Sequence, residues 1–266
     1  MKNKLIIYTD KLTADIIMEV RKSYGLADKT IIRTIEDITT IEPEIYQSMC
    51  KIKEASWFED FRYYHNATSN QPLYSYLMLL KTWFLKDAVE NNLVYTGFVA
   101  WFDFGFNHGG KVFTHPEDFD FEWKYDFSKK IHLYSLGKVD EKPIFEIVRR
   151  QCDSIMGCSY ITPTEDVTSL WELTKSAMQT LIKVGLFDDD QLLLLMAYRE
   201  RPELFEVVTS SWFLPLKEYG GSHLRVKAEK TFPWWKKIIL RTMEKYDKHK
   251  KVRNYYRITK NNLLNK

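Results

Sequence analysis

A chain of 266 residues, 45% hydrophobic and 15% aromatic, can bury a full core, which excludes a disordered protein. Its net charge of +3 conceals an asymmetry: residues 225–266 hold 14 Lys and Arg against three acids, a local +11, which leaves residues 1–224 at −8. No apolar run approaches the ~20 residues of a membrane span, and the apolar core of the opening MKNKLIIYTDK is too short for a signal peptide, so a cytoplasmic protein is expected.

Leu5 to Thr9 reads as a short strand ending at Asp10, and Leu12 to Ser23 follows with helical spacing. Thr30 to Ile35 is a second strand and Glu42 to Glu54 a second helix. This alternation predicts an α/β fold, a mostly parallel central sheet flanked by helices. Ser56 to His65 is an aromatic cluster that suits a core wall. Pro72 opens a helix to about Asn91 with Leu77, Leu80, Phe84 and Ala88 as its buried stripe. Lys81 lies at the edge of that stripe. It can snorkel to solvent or point its charge toward the carboxyl ends of the strands, and spacing alone favours snorkelling.

Asn91 to Gly110, NNLVYTGFVAWFDFGFNHGG, carries a buried strand, Gly97 to Phe102, that ends in Asp103 and opens into a Gly-rich loop with His108. A carboxylate beyond the carboxyl end of an apolar strand lies where open α/β sheets place ligands. The alternative is a turn-capping aspartate. Phe121 to Phe127 and Ile131 to Leu136 are short strand candidates that could form a hairpin at the sheet edge. Ile144 to Arg150 is amphipathic and leads into the apolar run Ser154 to Thr162, where Gly157 marks a close approach of a ligand or another backbone. Thr164 to Val184 is a helix with Val167, Leu170, Trp171, Thr174, Ala177, Met178, Leu181 and Ile182 on one face, ended by Gly185.

Asp188, Asp189 and Asp190 precede the next helix. One serves as its N-cap, and one cap does not need three aspartates. That helix stops before Pro202, Leu204 to Val208 is the last strand, and Trp212 to Tyr219 leads to a second Gly-rich loop with His223. The one domain boundary falls near Arg225, between an α/β domain (1–224) and a basic, Trp-rich helical appendage (225–266). Within the appendage, residues 232–257 suit an anionic membrane surface or docking on the acidic body.

The polar groups at loop positions are Asp103, His108, Asp188, Asp189, Asp190, Gln191 and His223. Carboxylates with one histidine suit Mn²⁺ or Mg²⁺ bridging phosphates, which points to a nucleotide-linked substrate. Walker A, GxGxxG and GxSxG motifs are absent. Three cysteines, Cys50, Cys152 and Cys158, lack paired metal-ligand spacing and fit buried thiols. A hydrolase built on His108, His115 and His132 has no supporting spacing. A nucleic-acid arm is disfavoured because the basic charge is confined to an appendage whose tryptophans form a helix stripe.

The runs YSYLMLLKTWFLKDAVENN, FVAWFDFGFNH and DDDQLLLL, in that order across residues 70–215, resemble the bacterial HtrL/YibB-like family. That family is associated with surface polysaccharide synthesis and resembles glycosyltransferases of the GT-A fold. The resemblance implies transfer of a sugar from a nucleotide-sugar donor to a glycan or lipid-linked glycan acceptor, in lipopolysaccharide, lipooligosaccharide or capsule synthesis. It implies Asp103 and His223 as metal ligands, and Asp190 or Asp189 as the general base. Lys81, Asp103, Gly105, His108, Gly157 and Gln191 would line the donor site. Two departures bear on activity: Gly105 stands where a second metal-binding aspartate is usual, and the strand expected before IIYTD is missing from the start of the sequence. The alternative is an inactive GT-A-like protein that binds glycan or a partner enzyme.

Overall fold

The structure is a computed structural model and describes residues 1–62, 68–107, 113, 115–151 and 154–224. His108, Cys152, Tyr63 to His65 and the basic segment 225–266, singled out in the sequence, lie outside these residues. Strand β1 (Leu5–Thr9) pairs in parallel with β2 (Thr30–Thr34), and α1 (Lys11–Ser23) forms the crossover. Asp10 ends β1 and caps α1, its carboxylate accepting from the Thr13 N–H at 2.9 Å.

Helices α2 (Pro43–Glu54) and α3 (Phe58–Phe61) lead to α4 (Pro72–Glu90), which starts with proline in its first turn. Strand β3 (Phe98–Phe102) follows, then β4 (Ile131–Ser135), α5 (Ile144–Arg150), β5 (Ser159–Pro163) and α6 (Val167–Lys183). The described chain ends with α7 (Asp190–Glu200), β6 (Phe205–Thr209) and α8 (Leu214–Glu218).

The expected α/β class, with parallel strand pairs and flanking helices, is present. Its strands divide into a two-stranded sheet, β1-β2, and a four-stranded sheet in the order β3-β5-β4-β6. β4 and β6 are parallel, whereas β5 runs antiparallel to both β3 and β4. Strand direction is invisible in composition: β4 and β5 are buried at every position, so neither shows a period-two pattern.

The expected edge hairpin does not form. β4 is an inner strand, and among the described residues 121–127 contain no strand. Their backbone is engaged elsewhere. Asn3 receives the Trp123 N–H at 2.8 Å and donates to the Trp123 carbonyl at 2.7 Å, while the Lys124 N–H donates to the Tyr219 carbonyl. The alternating aromatics thus tie the N-terminal residues to α8 instead of building a ladder.

The main core lies between α4, α6, α7 and the four-stranded sheet, with Leu80, Tyr160, Leu170, Met178 and Leu194 fully enclosed. Seven of the eight residues in the predicted α6 stripe are buried, Ile182 being partly so. Between α4 and α6, the hydroxyls of Thr82 and Thr174 meet at 2.7 Å. In the α4 stripe, Leu80, Phe84 and Ala88 are buried, but Leu77 is exposed to the cleft described below. α4 is apolar on more than one side, so its period alone does not mark the side facing the core. No helix among the described residues is long and apolar enough to cross a membrane.

Removing the Leu194 side chain should lower the free energy of unfolding by about 2–5 kcal/mol, because the site is closed on all sides. Val184→Ala, at an exposed helix end, should stay within about 0.5 kcal/mol of the parent in the same urea titration.

Candidate functional site

Asp103 follows β3 directly, its N–H donating to the Cys158 carbonyl at 2.9 Å. Its carbonyl accepts from the Phe106 N–H and begins the 3₁₀ turn Phe104–Asn107, so the backbone of Asp103 does enter a turn. The carboxylate does something else. One oxygen accepts from the Trp101 indole N–H at 2.6 Å, and the pair of oxygens faces Lys81 Nζ at 2.8 and 2.9 Å.

Lys81 does not snorkel. It is 3% exposed, and its ammonium also donates to Asp190 Oδ2 at 2.7 Å and to the Gly157 carbonyl at 3.2 Å. Burial alone would lower its pKa, but the charges and hydrogen bonds of Asp190 and Asp103 outweigh that and hold it above the usual lysine value. Burial pushes the Asp190 carboxyl up, the ammonium opposes this, and repulsion from Asp103 adds to it. Both directions follow from one cation shared between two carboxylates.

Each of the three consecutive aspartates has its own task. Asp188 is buried beside Arg62, itself fully enclosed, at 3.3 Å. Arg62 also donates to the Phe187 carbonyl at 2.6 Å, which fixes the segment entering α7. Asp189 is the N-cap, accepting from the Gln191 N–H, whereas Asp190 pairs with Lys81. Gly157 is explained by the same contact. A Cβ there would lie 2.1 Å from Asp190 Oδ2.

These groups form the floor of a cleft of about 2220 Å³ that Lys81, Asp103, Gly105, Gly157, Asp190 and Gln191 all line. Asp103 is its accessible member, with 29% of its side chain exposed above the buried Lys81 and Asp190. Gln191 brings a buried Oε1 that has no donor among the described residues. A Cβ at Gly105 would meet nothing within 4 Å, so its lack of a carboxylate is not forced by packing.

His223 is not among the cleft residues. Its Nε2–H donates to the Asp118 carbonyl at 2.6 Å, and its ring meets the edge of Phe121. His115 is exposed beside Glu117, and His132 sits within β4 with Nε2 against the Ser128 carbonyl.

Sequence reading missed three residues. Trp101 is two positions before Asp103 on a strand and so shares its face, a signal that was available. Tyr160 is fully buried, its hydroxyl has no partner among the described residues, and its pKa is raised by burial and then by Asp190 and Asp103. Tyr74 lines the cleft, its pKa raised by burial, then Asp189 and Asp190. The sequence held no sign of either tyrosine's position. Burial pushes the Cys158 thiol up to about 11, which makes it inert at neutral pH.

Among the described residues no group of three or more His, Cys, Asp or Glu is arranged to hold a metal ion, and an ammonium occupies the position between the two carboxylates.

The family model for HtrL/YibB, a bacterial protein of unknown function, matches residues 1–219. Protein HtrL of Escherichia coli (strain K12) is 26% identical over 140 residues, 51% of this chain and 48% of that protein. The match thus spans about half the length of the curated relative. No solved structure matches the chain.

Lys81→Met should cost about 3–5 kcal/mol of stability, since it leaves the buried Asp190 carboxylate without its counter-ion. Adding Asp190→Asn should restore part of it; strictly additive losses in urea titrations of the four proteins would show that the two residues do not pair. Gly157→Ala should lower the melting temperature by displacing Asp190, whereas Gly105→Ala should leave it nearly unchanged.

Proposed function

The chain belongs to the HtrL/YibB family of bacterial proteins, and from that premise we propose that it is a glycosyltransferase. It moves a sugar from a nucleotide-sugar donor to a glycan acceptor of the cell surface, as in lipopolysaccharide, lipooligosaccharide or capsule synthesis. The observation that carries this reading is the Asp103–Lys81–Asp190 group at the strand end, in the floor of a large cleft. No motif for a covalent nucleophile or dinucleotide competes with it.

With both carboxylates ionised the group carries one net negative charge, which repels a bare diphosphate and accepts one already neutralised by a cation. Mn²⁺ or Mg²⁺ is therefore proposed as part of the substrate complex, entering on the donor's diphosphate and needing only one carboxylate, Asp103, from the protein. Asp190 takes the acceptor proton. Burial makes it more basic than an ordinary carboxylate, which suits that task. In a direct displacement the acceptor oxygen bonds to the anomeric carbon as the bond to diphosphate breaks, and the bonding pair leaves with the diphosphate. Tyr74, which lines the cleft, would contact the sugar or acceptor.

One observation favours a second reading, a glycan- or partner-binding protein without activity. Lys81 already pairs with both carboxylates on which catalysis would rest.

A thermal-shift screen of nucleotide sugars with and without Mn²⁺ separates the two. Stabilisation by one nucleotide, only with metal and lost in Asp103→Asn, supports transfer. No response to any donor, with cell-surface function intact in Asp103→Asn, supports the binding protein. For the enzyme, the rate should fall as pH drops through the raised Asp190 pKa, so the acid limb of the pH profile lies above the ordinary carboxylate range. Asp190→Asn should cost at least about 10²-fold in the transfer rate.

A further inference from the structure

Four exposed aromatic side chains line the same cleft as the Lys81 group. Tyr74, Tyr95, Phe104 and Tyr125 are 36%, 80%, 94% and 60% exposed, and all belong to its wall. Among the described residues three other aromatics are exposed, Tyr24, Trp57 and Phe145, and none of them lines it. A ring left in water forfeits the burial that usually stabilises it, so four on one concave surface mark a place that a ligand covers. Three of the four are tyrosines, each an apolar ring with a hydroxyl at its tip. A hydrocarbon ligand would leave those hydroxyls without a partner.

The polar groups of the cleft narrow the chemistry. Six acidic side chains line it against four basic ones, and each of the four is already engaged. Lys81 pairs with Asp103 and Asp190, and Arg21 donates to Thr30 Oγ1 and to the Met1 and Asn3 carbonyls. Lys124 faces Glu122 at 3.5 Å, and Lys4 rests over the Tyr95 ring at 4.3 Å. The groups still open are acceptors: the partly exposed Asp103, and Gln191 Oε1, which has no donor among the described residues. Aromatic faces, free acceptors and a negative balance suit a neutral sugar. Its hydroxyls donate to the acceptors, and its weakly positive C–H groups lie against the negative face of an aromatic ring. A carboxylated or phosphorylated sugar meets repulsion instead.

The aromatic wall is longer than one ring. Tyr95 and Phe104 lie beyond opposite ends of β3, whose five residues alone extend ~13 Å. A single sugar ring does not reach both. Volume agrees, because a ligand the size of a nucleotide sugar fills a pocket of about 300–1,000 Å³. At least about 1,200 Å³ of the 2220 Å³ cleft is then left over.

We infer that the cleft binds a neutral oligosaccharide across several of its rings, with Phe104 stacked on the ring nearest Asp103 and Tyr95 and Tyr125 on others. This rests on the glycan reading of the cleft, and it holds for the enzyme and for the inactive binding protein alike. It makes these three aromatics the residues that select the length of the glycan.

Calorimetric titration of the full-length protein tests this with neutral hexose and heptose oligosaccharides of one to six rings, beside a matched series carrying one uronic acid. Affinity should rise at least about tenfold from monosaccharide to tetrasaccharide, and the uronic acid should weaken it. Tyr95→Ala and Phe104→Ala should each weaken tetrasaccharide binding about twofold to tenfold, the worth of one ring stack. Both should keep the parent melting temperature, because the side chains are exposed. Phe145→Ala, at an exposed ring outside the cleft, should leave binding as it was. Equal affinity at every length, tighter binding of the acidic series, no effect of either cleft variant, or no binding of any neutral oligosaccharide overturns the inference. The donor screen fails separately. Stabilisation by a nucleotide sugar without oligosaccharide binding keeps sugar transfer and overturns this inference, whereas oligosaccharide binding without a donor response keeps the inference and removes transfer.

Discussion

The ammonium of Lys81 joins three segments distant in the chain: the end of β3, the turn before β5 and the first turn of α7. Taking an ammonium out of water costs several kcal/mol, so this position holds only while all three acceptors stay within reach. The surrounding architecture serves that condition. Trp101 steadies Asp103, and Gly157 has no side chain because Asp190 occupies the space. Arg62 fixes the segment from which Asp190 projects.

The same arrangement sets what the cleft can accept. Its floor carries two carboxylates and one ammonium, with only Asp103 substantially open. Such a surface favours a ligand that brings its own positive charge, and disfavours a naked anion. The proposed sugar transfer is consistent with this balance, and so is the assignment of Asp190, rather than the capping Asp189, as the proton acceptor.

The split between the sheets is the other constraint. A half-covered β1, an open edge on β3 and a helix α1 with no buried residue all meet at one cleft. Among the described residues this apolar and hydrogen-bonding surface stays uncovered.

Periodicity and punctuation in the sequence determined most elements: β1, α1 and β2, the α6 stripe, the stop of α7 before Pro202, and a strand ending at Asp103. These depend on local rules of spacing and capping that neighbours in the chain carry by themselves. The order DDD before a helix also implied more than a cap. What tertiary structure decided was partnership. Lys81 could have snorkelled by its spacing, His223 could have met Asp103, and residues 121–127 could have paired as a strand. Asp190 lies 109 residues from Lys81, Trp123 is held by Asn3, and His223 bonds to Asp118. Burial and hydrogen bonds between distant residues settle such choices, and no window of sequence contains both partners.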